Sequence, residues 1–130
     1  MDKVRMGIIG VGNMGSGHAK TITSGQVPGM ALTAIADINP ARRAWARETY
    51  PDVAVFDDAI AMMDSGMVDA VIVSTPHYDH PPLVTAALQR DIHVMREKPA
   101  GVYTKAVAEV NALARRSKAA YAIMFNQRTN

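Results

Sequence analysis

Short apolar runs alternate along the chain with segments whose apolar residues recur at helical spacing. The apolar runs occupy residues 4–9, 31–36, 53–56, 70–73, 92–95 and 121–125. They are rich in Val, Ile and Ala, they show no strict alternation with polar residues, and turn residues bound them. This pattern predicts strands that are buried on both faces of a sheet.

The segments between these runs place apolar residues on one helical face. Val107, Val110 and Leu113 recur at every third position, for example, with charged residues turned elsewhere. Asn39 followed by Pro40 is a favourable helix start, since Asn caps well and Pro suits the first turn. Helices are predicted over residues 13–24, 41–50, 57–63, 81–88 and 107–114.

The regular alternation of strand and helix predicts one α/β domain over residues 1–130. Parallel strands need right-handed crossover connections, so helices cover both faces of the sheet. We expect a doubly wound parallel sheet of the Rossmann type, with three α/β/α layers and strand order 3-2-1-4-5-6.

Composition excludes several classes of function. The chain is 48% hydrophobic and 20% charged, as is typical of a globular domain. It has no cysteine, which excludes disulfides, thiolate metal sites and cysteine nucleophiles. A net charge of +2 gives no reason to expect nucleic-acid or membrane-surface binding. Since no signal peptide or membrane-spanning pattern is present, we expect a cytoplasmic protein.

A glycine-rich turn directly follows the first predicted strand, where residues 10–15 read Gly-Val-Gly-Asn-Met-Gly. Gly10 permits the tight turn, Gly12 lets the backbone approach a pyrophosphate, and Gly15 lets the next helix pack close to the sheet. Asn13 and Met14 open that helix, whose free N–H groups and partial positive charge favour phosphates. The spacing predicts a dinucleotide site; the alternative is a glycine turn beside a buried helix.

An acidic residue stands where such a site needs one. Asp37 ends the second predicted strand, 22 residues after Gly15. Its carboxylate can accept hydrogen bonds from both ribose hydroxyls and would repel a 2′-phosphate, which favours NAD. Arg42 and Arg43 leave NADP as an alternative cofactor, because an arginine just past the acid can hold a 2′-phosphate. The other interpretation of these two arginines is a solvated helix face.

Two further motifs carry a resemblance to a known family. Residues 74–80 read Ser-Thr-Pro-His-Tyr-Asp-His, similar to a T-P-N-x-x-H loop with His77 in place of the more usual Asn. Residues 97–99 read Glu-Lys-Pro, an E-K-P motif. With His18 and the Asn-Gln-Arg at 126–128, the chain resembles the Gfo/Idh/MocA family of NAD(P)-dependent oxidoreductases over its whole length.

The resemblance implies a role for each motif. Lys98 would hydrogen-bond the substrate oxygen at the hydride-transfer carbon, a task that suits a partly buried lysine; the alternative is a surface lysine before a proline turn. Thr75 and Pro76 would line the nicotinamide end, and Glu97 would lie near the cofactor ribose. The cofactor-binding residues expected from these motifs are Ser74, Thr75, Pro76, His77, His80, Glu97, Lys98, Asn126 and Arg128.

Three neighbouring residues invite other interpretations. His77 and His80 beside Asp79 are too few for a metal site, so none is expected. We expect them to order the loop near the cofactor, or His80 to cap the following helix.

Arg96 departs from the small or apolar residue usual before E-K-P, and this departure concerns the local pocket.

These features together predict an oxidoreductase domain. The expected reaction moves hydride between nicotinamide and a sugar, polyol or related hydroxyl or carbonyl compound; the alternative is a dinucleotide-sensing module without catalysis. Family members have a second α/β domain, which we expect after residue 130 and through which the protein would form homo-oligomers.

Overall fold

The computed structural model describes residues 2–125, and strands and helices alternate through them. A six-stranded sheet has the order β3-β2-β1-β4-β5-β6, and all its neighbouring strands pair in parallel. The strands are β1 (Val4–Ile9), β2 (Met30–Ala36), β3 (Ala54–Phe56), β4 (Ala70–Val73), β5 (His93–Glu97) and β6 (Tyr121–Met124). The helices are α1 (Asn13–Thr23), α2 (Pro40–Thr49), α3 (Ala59–Asp64), α4 (His80–Gln89) and α5 (Thr104–Arg116). The predicted fold class and strand order are confirmed.

The two faces of the sheet bury separate apolar clusters, because successive side chains of a buried strand point to opposite faces. On one face α1 and α2 pack against Met6 and Ile8 of β1, with Ala19, Ile22 and Ala46 from the helices. On the other face α3, α4 and α5 cover a larger cluster whose members include Ile9, Val71, Val73, Met62, Val84, Leu88 and Val110. This gives the three expected layers.

Several predicted boundaries move, and each shift has a local cause. The helix predicted over 57–63 begins two residues later, since the Asp58 carboxylate caps it by accepting from Ala61 N at 3.0 Å. A 3-10 turn, His77–Asp79, precedes α4 and was not predicted. β5 continues to Glu97, past the predicted end at residue 95, because Arg96 and Glu97 pair with Ile123 and Met124 of β6.

This topology places the site. β1 pairs with β2 on one side and β4 on the other, so the chain order reverses between β1 and β4. The segments after β1, β4 and β5 all leave from the carboxyl edge of the sheet, where doubly wound folds bind their ligands. No helix within residues 2–125 has the length and apolar character needed to cross a membrane.

Candidate functional site

The glycine turn after β1 is folded as its sequence requires. Gly10 has φ of +88°, a left-handed conformation that favours glycine, and its N–H donates to Ala36 O at 2.8 Å. A Cβ added to Gly15 would lie only 1.8 Å from Gly10 O, so glycine alone allows α1 to pack this close to the turn. The structural roles expected from the sequence, a tight turn at Gly10 and close helix packing at Gly15, are confirmed.

The start of α1 is open to an anion. Gly12 is its N-cap residue, and no side chain accepts a hydrogen bond from the first turn. A Cβ on Gly12 would meet no atom within 4 Å, so bare backbone faces open space there. The first turn carries no acidic side chain. Free N–H groups and the positive end of the helix dipole therefore point to where a pyrophosphate would bind.

Asp37 is held rigidly at the end of β2. Its Oδ2 accepts from Val11 N and its Oδ1 from Asn39 N, both at 2.9 Å. A carboxylate has about four lone-pair positions, so each oxygen can still accept a ribose hydroxyl. The two backbone bonds orient the carboxylate before any ligand arrives.

The two arginines near Asp37 have different surroundings. The Arg43 guanidinium donates to the Asp37 and Ile38 carbonyl oxygens, both at 3.0 Å, and so is engaged with the backbone. Arg42 is exposed and lines the cleft beside Asp37.

Two adjoining clefts run along the carboxyl edge of the sheet. The larger cleft, of about 670 Å³, extends from the glycine turn to Asp37 and α3; it is lined by Gly10, Gly12, Asp37, Ile38, Arg42, Asp57, Ile60, Ser74, Thr75, Pro76 and Leu83, among others. The smaller cleft, of about 340 Å³, is lined by Met14, Ser74, Thr75, His77, His80, Glu97 and Lys98. Because Ser74 and Thr75 belong to both, the two clefts meet at the end of β4.

The junction of the clefts contains unpaired polar atoms. Ser74 Oγ and Thr75 Oγ1 are buried, and neither has a hydrogen-bond partner in the part of the chain that the structure describes. Buried hydroxyls normally have a partner, so these two are suited to a bound polar group. Together with the open helix start and Asp37, they fit an elongated ligand that carries phosphates and sugar hydroxyls.

Glu97 is tied to the first helix. Its Oε1 lies 2.5 Å from His18 Nε2, and the two side chains are only 10% and 20% exposed. The sequence names His18 only as part of the family resemblance and gives no sign of this partner, which lies 79 residues away in the chain. This pair connects α1 to the end of β5.

His80 is fully buried at the start of α4. Its Nδ1 lies 3.0 Å from Pro99 O and its Nε2 lies 2.8 Å from Thr75 O. The N-cap position belongs to Asp79, so the interpretation of His80 as a helix cap is wrong. Its ring contacts the loops that follow β4 and β5 instead.

Lys98 lies on the smaller cleft, but its side chain is exposed rather than partly buried as expected. The Lys98–Pro99 peptide bond is cis. Within residues 2–125 the ammonium group forms no ion pair. It is therefore accessible to a ligand in that cleft.

Arg96 is fully buried on the opposite side of β5 from Glu97. Its guanidinium donates to Ala100 O and to the Tyr121 hydroxyl, and it lies 5.1 Å from the centre of the Tyr121 ring. Burial lowers the pKa of Arg96 from its usual range, and burial likewise raises the pKa of Tyr121. Arg96 lines neither cleft, so the expectation that its departure from the usual residue concerns the pocket is wrong; it concerns the loop after β5.

The remaining predicted residues divide into two groups. Asn13 and Gly15 belong to the turn and helix start but line neither cleft. Asn126 and Arg128 lie outside the described residues. The sequence missed the cleft wall formed by Ala59, Ile60 and Leu83, since only tertiary packing brings α3 and α4 there.

Comparison with known proteins agrees with this geometry. A family model described as the oxidoreductase family with NAD-binding Rossmann fold, Gfo/Idh/MocA, matches residues 4–125. The inositol 2-dehydrogenase 1 of Saccharopolyspora erythraea is 37% identical over 97 residues, which cover 74% of this chain and 28% of that protein. An inositol 2-dehydrogenase of Arthrobacter sp. is 34% identical, over 75% of this chain and 29% of that protein.

Solved structures give the same result. Apo scyllo-inositol dehydrogenase from Lactobacillus casei superposes with a TM-score of 0.94 at 26% identity, over 99% of this chain and 38% of that chain. The structure of scyllo-inositol dehydrogenase from the same organism with bound NAD(H) and scyllo-inositol gives a TM-score of 0.93 at 27% identity, with the same coverage. The chain spans only 28% of the length of the first relative above. It belongs to the Gfo/Idh/MocA family of oxidoreductases and forms an NAD-binding Rossmann domain.

Proposed function

We propose that this domain serves a dehydrogenase that moves hydride between nicotinamide and a hydroxyl-bearing carbon of a cyclic polyol or sugar. The observation that carries the proposal is the meeting of the two clefts at Ser74 and Thr75. One cleft holds the glycine turn and Asp37, and the other holds Lys98. A dinucleotide along both would bring its reactive end to the lysine.

The residues of the larger cleft bind and orient the cofactor in this proposal. The α1 start receives the pyrophosphate through backbone N–H groups, and Asp37 accepts the ribose hydroxyls. The Ser74 and Thr75 hydroxyls donate to polar groups at the middle of the ligand. When NAD is bound, it supplies the hydride-transfer chemistry. The protein supplies the hydrogen-bonding groups that hold it in this cleft.

The residues of the smaller cleft act on the substrate. Lys98 donates a hydrogen bond to the substrate oxygen and stabilises the negative charge that develops there. His77 and Glu97 lie on the same cleft and complete the nicotinamide end. The similarity to inositol dehydrogenases supports a polyol as the substrate class.

NAD is the proposed cofactor over NADP. Asp37 would repel a 2′-phosphate, and Arg43 is already engaged with two backbone carbonyls. Of these two arginines near Asp37, Arg42 remains to attract such a phosphate. Calorimetric titration with NAD⁺ and NADP⁺ tests this preference, and tighter binding of NADP⁺ would contradict it.

The proposal extends to the rest of the enzyme. Coverage of less than a third of the relatives' length supports a separate substrate domain. We further propose that the protein forms homo-oligomers through that domain and is cytoplasmic. Reading the gene past Asn130 tests the domain, light scattering tests the oligomer, and cell fractionation tests the location.

The decisive experiment measures NAD⁺ reduction by the full-length protein with a panel of inositols and sugars. Lys98→Ala should lower kcat by about 10²-fold or more, as expected for loss of a donor to a developing oxyanion. Lys105→Ala, an exposed lysine on α5, is the matched control and should retain full activity. NAD⁺ binding without reduction of any polyol or sugar would favour the sensing module instead.

A further inference from the structure

The segment that follows Lys98 is fixed by two fully buried side chains from different elements. Pro99 O lies 3.0 Å from His80 Nδ1, on α4. Ala100 O, the next carbonyl, accepts from Arg96 on β5. His80 and Arg96 both have 0% of their surface exposed. The consecutive carbonyl oxygens of Pro99 and Ala100 are therefore each contacted by a buried side chain.

His80 also joins this segment to the loop after β4. Its Nε2 lies 2.8 Å from Thr75 O, so one ring bridges a carbonyl at the junction of the clefts and a carbonyl next to Lys98. Each ring nitrogen therefore lies within hydrogen-bond distance of one carbonyl oxygen. The bridge fixes the spacing between the two loops that line the smaller cleft.

Arg96 has no carboxylate partner within residues 2–125. Among the described residues its guanidinium donates to two neutral groups, Ala100 O and the Tyr121 hydroxyl, and lies over the Tyr121 ring, while its Nε has no hydrogen-bond partner. Burying a cation without a counter-charge is costly, so a small apolar residue would be the less costly choice for stability alone. What Arg96 provides is a directed hydrogen bond to the segment after Lys98.

Lys98 depends on this backbone for its position. Its side chain is exposed and forms no ion pair with the described residues, so neighbouring side chains do not orient it. A displacement of about 1 Å in a reacting group can cost about 10²-fold in rate.

We propose that His80 and Arg96 are positioning residues that hold the 99–100 segment and thereby set Lys98 against the substrate oxygen. The inference rests on the proposed function of Lys98. It makes Arg96, which departs from the usual residue before E-K-P, a specific support of this protein's catalytic loop.

The test uses the full-length protein with His80→Gln, Arg96→Met and Arg96→Lys. We expect kcat to fall about 10- to 100-fold in His80→Gln and Arg96→Met, while KM for NAD⁺ changes less than about twofold. Arg96→Lys, which retains one donor and the charge, should recover part of the loss. Gln89→Ala, at the far end of α4, and the exposed Arg47→Met are matched controls and should behave as wild type.

The ¹³C chemical shifts of the Pro99 and Ala100 carbonyl carbons give a second readout that does not need turnover, because they respond directly to the loss of a hydrogen bond at the carbonyl oxygen. The Pro99 shift should move in His80→Gln and the Ala100 shift in Arg96→Met, each toward the value of a carbonyl without a hydrogen bond, with little change in β1 and β2. If the wild type reduces no polyol, the proposed function fails, yet this measurement still decides whether the two residues hold the segment. If His80→Gln does not fold, the two Arg96 variants decide alone. Unchanged carbonyl shifts in these variants, or a kcat loss no greater than the loss of folded protein, would overturn the proposal.

Discussion

Gly15 and Gly17 offer a matched pair of substitutions on one helix. Both lie in α1, so an added methyl group raises helix propensity equally at the two positions, by about 1 kcal/mol. Their surroundings differ completely. A Cβ on Gly17 meets no atom within 4 Å, whereas a Cβ on Gly15 would lie 1.8 Å from Gly10 O and 2.9 Å from Gly10 C.

The size of the effect follows from this geometry. Real Cβ atoms essentially never approach closer than 3.0 Å, so Gly15→Ala must separate α1 from the turn by about 1.2 Å. The two atoms closer than 3.0 Å are both backbone atoms of Gly10, and the turn cannot yield by a change of rotamer. Overpacking of this kind costs about 1–3 kcal/mol in the free energy of unfolding. Gly17→Ala should instead stabilise the domain by about 0.5–1 kcal/mol.

The assays are urea denaturation followed by circular dichroism and calorimetric titration with NAD⁺. Gly15→Ala should unfold at lower urea concentration than wild type and bind NAD⁺ about tenfold more weakly or worse, since the turn moves relative to the helix start. Gly17→Ala should unfold at higher urea concentration with affinity unchanged. If Gly15→Ala proves as stable as Gly17→Ala and binds NAD⁺ equally well, the assigned packing of the turn is wrong.

Three further outcomes are expected. Asp58→Ala should lower the free energy of unfolding by about 1 kcal/mol through loss of the α3 cap, while Asp57→Ala, its exposed neighbour, stays within about 0.5 kcal/mol of wild type in urea denaturation. Burial raises the pKa of Tyr121 above its ordinary value of 10.0. The contribution of Tyr121 to stability is therefore present below pH 10.0 and is lost as pH rises through the folded-state pKa. In thermal melts Tyr121→Phe should lose less stability at alkaline pH than wild type, and an equal loss would contradict the assignment. The hydrogen bond from Arg5 lowers the pKa of Asp69 below 3.8, so its contribution is present above pH 3.8 and is lost as pH falls through the folded-state pKa; NMR titration of Arg5→Gln should return the Asp69 pKa toward 3.8.

The sheet could be predicted from the sequence because its signals are local. Each buried strand is an apolar run bounded by turn residues, and right-handed crossovers leave few arrangements of parallel strands. The end of β5 could not be predicted in this way. Arg96 and Glu97 are polar, yet both are buried, because Tyr121 and His18 reach them from 25 and 79 residues away in the chain.

In the candidate site too, features set by local spacing could be predicted from the sequence and features set by tertiary contacts could not. The glycine turn and Asp37 were predictable because spacing alone relates them, and both line the larger cleft. The environment of Lys98 was not, since its exposure depends on how the loop after β5 lies on α4. His80 shows the limit most clearly: it was expected to order the loop or to cap the following helix, but its partners are carbonyls of two loops that meet only in the folded domain.

The central claim is that the turn after β1 and the carboxylate at the end of β2 together bind an adenine dinucleotide. Calorimetric titration of the folded protein with NAD⁺ tests it most directly, using wild type, Asp37→Ala and the exposed control Asp52→Ala. We predict saturable binding by wild type and Asp52→Ala, with affinity at least about tenfold lower in Asp37→Ala, as expected for loss of two hydrogen bonds to a charged group. Equal affinity in Asp37→Ala and wild type, or no binding by the folded wild type, would contradict the claim.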